Sequence, residues 1–108
     1  MKKIAFAIVV VLLLGVAAQA ENTKIRFGIL PVLDTLPLQV GVQDGLFAEH
    51  GLDVELIRFM SALERDTAMQ TGQLDGYFGD IIATYMLINQ GVPMYIALTS
   101  WRTTPGSP

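Results

Sequence analysis

The chain has no cysteine and only one histidine among its 108 residues. The lack of cysteine excludes disulfides, thiolate metal ligands and a cysteine nucleophile. The single histidine, His50, lies in the turn expected after the first helix and is interpreted as a surface residue, which argues against a metal site or a histidine-dependent active site. Basic residues are also few, with 7 Lys and Arg against 10 Asp and Glu and a net charge of −3. An acidic chain without a basic patch is a poor candidate for nucleic-acid binding.

The motifs that mark common active sites are missing as well. The sequence contains no phosphate-cradling glycine-rich loop, no nucleophile elbow and no metal-ligand spacing. Most of its glycines fall at expected helix ends and turns. The sequence therefore gives little support to an enzyme, and it predicts neither a cofactor nor catalytic residues.

What the chain does have is a long hydrophobic run at its N-terminus. Lys2 and Lys3 precede an apolar stretch at residues 4–16, and Ala18-Gln19-Ala20 supplies a small-x-small cleavage pattern. The run is shorter than the roughly 20 residues that crossing a bilayer requires. We therefore expect a signal peptide at residues 1–20, cleaved after Ala20, and an exported, periplasmic product. A retained membrane anchor is the alternative.

Residues 21–108 alternate regularly between strand and helix patterns. Alternating apolar and polar residues predict strands at residues 24–30 and 53–59, and short apolar runs next to Gly or Pro predict strands at residues 77–78 and 94–100. Helix start and stop signals predict helices at residues 37–44, 61–71 and 81–90. Short links between strands and helices indicate an α/β fold with a parallel sheet covered on both faces.

Local signals add detail to this pattern. Ser61 and Glu64 form a capping box, in which the hydroxyl accepts from the Glu64 N–H and the carboxylate reaches back to the Ser61 N–H. Leu46 and Phe47, after the first helix, are expected to enter the core. The helix at residues 81–90 is apolar nearly all round, which predicts that it is buried.

The charges of the second strand predict the order of the sheet. Asp53, Glu55 and Arg58 lie along this strand, which is therefore half exposed and belongs at a sheet edge. The first and third strands should then be interior, giving the local strand order 2-1-3. Ligands of open α/β sheets bind where the winding reverses, beyond the carboxyl ends of the strands. The loops at residues 31–36 and 79–80 are therefore expected to meet a ligand.

The expected ligand-binding residues lie in these loops or beside them: Asp34, Thr35, Ser61, Ala62, Gly79, Asp80, Thr99, Ser100 and Trp101. Amides at the helix start after Ser61 can hold an anion, and the face of Trp101 suits a planar solute. Purely structural roles stay open, since Ser61 and Asp80 are also helix caps and Asp34 fits an Asx turn. Carboxylates at this edge favour a ligand with an amine or hydroxyls, whereas helix starts favour an anion. The sequence leaves the charge of the ligand open.

Several short motifs occur in order along residues 24–101: Leu36-Pro37-Leu38-Gln39-Val40, Gly45-Leu46-Phe47, Gly51-Leu52-Asp53-Val54-Glu55, Gly72-Gln73-Leu74-Asp75-Gly76 and Gly91-Val92-Pro93. The set resembles the N-terminal part of solute-binding proteins of ABC importers of the nitrate/sulfonate/taurine type (NitT/TauT, SsuA/THI5-like). The resemblance implies a periplasmic binding protein type II-like lobe. Residues 21–108 would be the N-terminal part of the first of two lobes, incomplete in this chain. A small complete domain with a disordered tail is the alternative.

The same resemblance implies a function by binding. A small polar or anionic solute would be held between two lobes, whose closure signals an ABC permease in the inner membrane. It implies a monomer that uses no cofactor. Two other classes stay open: a THI5-like enzyme of pyrimidine-precursor synthesis, and the ligand-binding ectodomain of a sensory receptor. The absence of cysteine and the lone His50 disfavour the enzyme.

Overall fold

The computed structural model describes residues 1–3, 20–100 and 105–106, which form an open α/β arrangement. Its strands are β1 (Thr23–Ile29), β2 (Leu52–Arg58) and β3 (Gly76–Tyr77). Its helices are α1 (Leu36–Gln43), α2 (Leu46–Glu49), α3 (Ala62–Gln70) and α4 (Ile81–Asn89). A 3-10 turn at Leu33–Thr35 leads into α1.

The expected signal peptide falls mostly on residues 4–19, outside the described residues. In the part of the chain that is described, no helix combines the length and the apolar character that crossing a membrane requires.

The three strands form one parallel sheet in the order β2-β1-β3, which confirms the predicted fold class and strand order. β3 forms the second edge of the sheet among the described residues, whereas an interior position was predicted for it. β1 pairs along its whole length with β2, from Thr23 opposite Leu52 to Ile29 opposite Arg58. On its other side β1 pairs with β3 through Phe27 and Gly28. The central position of β1 explains why Ile29 is buried, whereas charged residues alternate along the edge strand β2.

An ion pair fastens the segment before β3 to the central strand. The guanidinium of Arg26 donates to both carboxylate oxygens of Asp75, at 3.0 Å and 2.9 Å. The backbone N–H of Arg26 also donates to Asp75 at 2.8 Å, and the Asp75 N–H returns a bond to the Arg26 carbonyl at 2.9 Å. The side-chain and backbone bonds from Arg26 lower the pKa of Asp75 to about 2. Asp75 thus fixes where β3 joins the sheet.

We expect this contact to give stability that depends on pH. Because the folded-state pKa of Asp75 is lowered from 3.8 to about 2, its contribution is complete above about pH 4 and is lost as the pH falls through 2. Urea unfolding of the wild type and of Asp75→Asn between pH 7 and pH 2 should show a difference in stability that shrinks over this window. Glu55→Gln, at the single contact of 3.2 Å with Lys24, is the control for removing a surface carboxylate. A difference that stays constant down to pH 2 would contradict the assignment.

Two predicted apolar elements are placed differently from expectation. α4 is mostly exposed, and only Thr84 and Leu87 on it are buried. Residues 94–100 were predicted as a strand, but they pair with no strand among the described residues. The shared physical reason is the shortness of β3, whose two residues offer little surface to a helix and a short ladder to a further strand.

Smaller local predictions also need correction. Leu46 is exposed and only Phe47 is half-buried, because residues 46–49 form a short helix at the surface instead of a turn into the core. The carboxylate of Glu64 reaches the N–H of Met60 at 3.3 Å, one residue before the expected partner Ser61. The other half of the capping box is confirmed, since the Ser61 hydroxyl accepts from the Glu64 N–H.

Candidate functional site

The loops that follow the three strands meet at the carboxyl edge of the sheet. The N–H of Phe59, after β2, donates to the carbonyl of Ile29 at 2.9 Å. The N–H of Phe78, after β3, donates to the carbonyl of Gly28 at 2.9 Å. These bonds hold the loop after β1 between the other two. The order β2-β1-β3 places the reversal of winding at this edge, which is where open α/β sheets bind ligands.

In the loop after β1, Thr35 is turned inward and Asp34 outward. The Thr35 side chain is fully buried, and its hydroxyl donates to the Val32 carbonyl at 2.7 Å, with the Leu30 carbonyl at 3.3 Å. The same oxygen accepts from the Gln39 amide at 3.2 Å. Thr35 therefore shapes the loop from beneath and has no hydrogen left to donate to a ligand. Asp34 is exposed at the same turn.

In the loop after β2, Ser61 caps α3 and lies at the surface. Its backbone is extended, with φ −141° and ψ 155°, and its hydroxyl accepts from the Glu64 N–H at 3.3 Å. Ala62 is also exposed. The backbone N–H groups of the first helical turn have no acceptor within the helix, and together with the helix dipole they favour an anionic group.

In the loop after β3, Asp80 caps α4 with its carboxylate, which accepts from the Ala83 N–H at 2.8 Å. Gly79 precedes it and lies close to the ring of Tyr77. A Cβ on Gly79 would come within 2.3 Å of a ring carbon of Tyr77 and 3.0 Å of the Arg65 guanidinium. A glycine is needed here because the backbone passes directly against these two side chains.

Arg65 is the residue of this edge that the sequence interpretation missed. It is only 1% exposed, and its guanidinium donates to the Phe78 carbonyl at 2.9 Å and to Asp66 at 2.9 Å and 2.7 Å. It also lies over the Tyr77 ring, 4.4 Å from the centroid. The available signal was spacing, since Arg65 stands three residues before the buried Ala68 and so shares its face of α3.

Tyr77 and Thr84 join β3 to α4 by a hydrogen bond of 2.9 Å between their hydroxyls. The Thr84 hydroxyl also donates to the Asp80 carbonyl at 2.9 Å. Burial raises the pKa of Tyr77 above its ordinary value, so its hydroxyl is protonated at neutral pH and can donate. The Gly79–Asp80 loop is therefore in contact with Tyr77, which precedes it, and with Thr84, which follows it.

Of the other predicted residues, two lie in the described part of the chain and one lies outside it. Thr99 and Ser100 are exposed at the end of the unpaired segment. Trp101 lies outside the described residues, as does the neighbouring Arg102. The structure thus brings Asp34, Ser61, Ala62, Gly79 and Asp80 to one edge, with Thr35 beneath them.

The edge combines opposite electrostatic influences. The starts of α3 and α4 present positive dipole ends and backbone donors, whereas Asp34 and Asp80 contribute carboxylates. Among the described residues there is no group of three or more His, Cys, Asp or Glu side chains that could hold a metal ion. The arrangement is suited to hold a small solute by hydrogen bonds.

A cleft lies at the other end of the sheet. It measures about 530 Å³ and is formed where α3 and α4 end and β3 begins: Met69, Gln70, Gly72, Leu74, Asp75, Gln90, Gly91, Val92 and Pro93. Helix carboxyl ends surround it, and these disfavour anions. The carboxyl edge, where the helix starts and the strand-end loops converge, is therefore the better candidate for a solute site.

Comparison with known proteins agrees with a ligand-binding α/β lobe. The model of the NMT1-like family matches residues 18–102, and the chain belongs to this family. It is 35% identical over 86 residues to the nitrate/nitrite binding protein NrtA of Nostoc sp., covering 74% of this chain and 20% of NrtA. It is 32% identical over 90 residues to the bicarbonate-binding protein CmpA of Synechococcus elongatus, with the same two coverages of 74% and 20%.

The chain is also similar to a third protein, over a shorter stretch. Over 62 residues it is 39% identical to the nitrate import ATP-binding protein NrtC of Synechococcus elongatus, covering 57% of this chain and 9% of that protein. The chain spans about a fifth of the length of NrtA and CmpA, 20% in each case. No solved structure gives a significant match.

Proposed function

We propose that this chain forms part of the solute-binding component of an ABC importer, which captures a small polar or anionic solute in the periplasm and delivers it to a membrane permease. The observation that carries the proposal is the convergence of two helix starts, α3 and α4, at the carboxyl edge of an open sheet. The names of NrtA and CmpA support small inorganic oxyanions as the class of solute. The proposed function is binding without turnover.

The contacts that we propose follow from the position of each side chain at the edge. Amides of the first turn of α3, beginning at Ala62, hold the anionic group, and the Ser61 hydroxyl donates to it. Gly79 and Asp80 contact the solute from the side of α4, and Asp34 from the loop after β1. Thr35 supports the loop and does not donate to the solute, because its hydroxyl is already engaged with the Val32 and Leu30 carbonyls. Thr99, Ser100 and Trp101 belong to the same proposal as further contacts.

The two carboxylates suggest which oxyanions bind best. A carboxylate accepts hydrogen bonds, so Asp34 and Asp80 favour a solute that carries its own N–H or O–H hydrogen. Bicarbonate and an aminosulfonate such as taurine have such a hydrogen, and nitrate has none. We therefore expect bicarbonate or taurine to bind more tightly than nitrate.

The test is calorimetric titration of the purified chain with sodium nitrate, sodium bicarbonate and taurine, with sodium chloride as the control for ionic strength. Saturable binding of at least one oxyanion at one site, with the solute recovered unchanged, is the expected result. Native mass spectrometry of protein purified from the periplasm identifies what it carries. Recovery of a flavin or a nucleotide, or no saturable binding of any of the three solutes, would refute the proposal.

Ser61 allows the contact to be separated from the helix cap. Ser61→Ala should lower the free energy of unfolding by about 1 kcal/mol through the lost cap. It should also weaken solute binding at least tenfold, since a hydrogen bond to a charged group contributes about 1.5–3 kcal/mol and each step of about 1.4 kcal/mol is tenfold in affinity. Ser61→Asn is the matched control, because Asn caps helices as well as Ser does. If Ser61→Ala lowers the stability but leaves the affinity at the wild-type value, Ser61 is a cap and does not contact the solute.

A further inference from the structure

α4 is held to the rest of the protein by few side chains. Of its residues only Thr84 and Leu87 are buried, while Ile81, Ile82 and Tyr85 are largely exposed. Apolar packing therefore does little to fix the first turn of the helix. The orientation of this turn depends on its polar contacts, and this turn carries the Asp80 cap at the candidate site.

The polar contacts of this turn form a directed chain of hydrogen bonds. The Thr84 hydroxyl has one hydrogen, and it donates that hydrogen to the Asp80 carbonyl at 2.9 Å. In its 2.9 Å contact with Tyr77, the Thr84 oxygen must therefore be the acceptor and the Tyr77 hydroxyl the donor. The chain runs from Tyr77 through Thr84 to the backbone of Asp80. We call it the hydroxyl relay.

The first member of the relay is fixed independently of α4. The Tyr77 ring lies beneath the Arg65 guanidinium, 4.4 Å from its carbon atom. Tyr77 also belongs to β3, where it pairs with Gly28 of the central strand β1. Arg65 also holds the next carbonyl, that of Phe78, at 2.9 Å. Tyr77 is thus held in place by Arg65 of α3 and by its own strand, so it can act as an anchor for α4.

We propose that the hydroxyl relay sets the position of the Gly79–Asp80 loop for solute binding, with Tyr77 as the anchor and Thr84 as a positioning residue. This inference rests on the proposed function in one respect, that the Gly79–Asp80 loop contacts the solute. Neither hydroxyl is itself a solute contact, since both are engaged in the relay and Thr84 is buried.

The test compares Thr84→Val, which keeps the shape but removes the hydroxyl, with Thr84→Ser, which keeps the hydroxyl. Without solute, hydrogen exchange at the amides of residues 81–84 should be at least tenfold faster in Thr84→Val than in the wild type, and near wild type in Thr84→Ser. Bicarbonate titration should show about a tenfold weaker affinity in Thr84→Val and a restored affinity in Thr84→Ser. Equal exchange in the two variants would overturn the proposal.

Tyr77→Phe distinguishes the relay from a bond internal to α4. This variant retains the ring beneath Arg65 and leaves the Thr84 bond to Asp80 intact. Faster exchange in Tyr77→Phe supports the relay, whereas wild-type exchange there would overturn it. Tyr77→Phe also carries the test if Thr84→Val does not fold. If the wild type binds no oxyanion, the proposed function fails, and the exchange measurements still decide whether the relay positions the loop.

Discussion

Replacing Arg65 with methionine is expected to lower the free energy of unfolding by about 2–4 kcal/mol. Removing one partner of a buried ion pair costs about 3–5 kcal/mol, because a charge is left unpaired. The lower range applies here because Asp66 is 23% exposed and can regain water after the loss of Arg65. The Phe78 carbonyl would also lose its donor, and Tyr77 its cation–π contact. Urea unfolding followed by circular dichroism measures the effect.

The matched control is Arg58→Met, which removes an exposed arginine at the end of β2. Its expected effect lies within about 0.5 kcal/mol, as for most surface substitutions. The loss of stability in Arg65→Lys should fall between these two values. Lysine keeps the positive charge, but it lacks the planar guanidinium and cannot donate to the Phe78 carbonyl and twice to Asp66 at the same time. Equal stability of Arg65→Met and Arg58→Met would contradict the buried placement of Arg65.

Arg65 also illustrates the limit of predictions from local sequence. The strand order could be predicted because alternating charge on β2 identifies an edge strand directly from its own residues. The caps at Ser61 and Asp80 could be predicted because each involves residues within one helical turn. Arg65 gave only one local signal, its spacing to Ala68, and this signal is weak because a charged residue on a helix is normally exposed. Its partner Phe78 lies thirteen residues away.

The candidate site also has some features that could be predicted from the sequence and others that could not. That the loops after β1 and β3 lie at one edge follows from parallel topology alone, and the structure agrees. That Thr35 is fully buried with its hydroxyl committed depends on how the loop folds back onto the Leu30 and Val32 carbonyls. A polar residue in a loop does not reveal from its identity whether it faces a ligand or the interior.

The exposure of α4 is the largest departure from the sequence prediction, and its physical origin is non-local. Apolar residues nearly all round a helix indicate burial only if the surrounding fold supplies surface on every side. Beside α4 the described sheet ends at β3, which has two residues, so one face of the helix is covered and the rest is not. The helix sequence is informative about its preference for burial and carries no information about its neighbours.

Leu87→Ala is therefore expected to destabilise the fold by about 2–3 kcal/mol, while Ile82→Ala on the same helix is expected to change it by less than about 0.5 kcal/mol. Leu87 is 3% exposed and Ile82 is 74% exposed. The loss at Leu87 lies at the low end for a buried leucine, because the largely exposed helix can settle toward the cavity. Urea unfolding of both variants under the same conditions provides the comparison. The two positions share one helix and similar side-chain volume, and the helix propensities of leucine and isoleucine differ by only a few tenths of a kcal/mol, so burial dominates the comparison. Equal losses would contradict the exposed placement of Ile82 and favour the all-round burial that the sequence predicts.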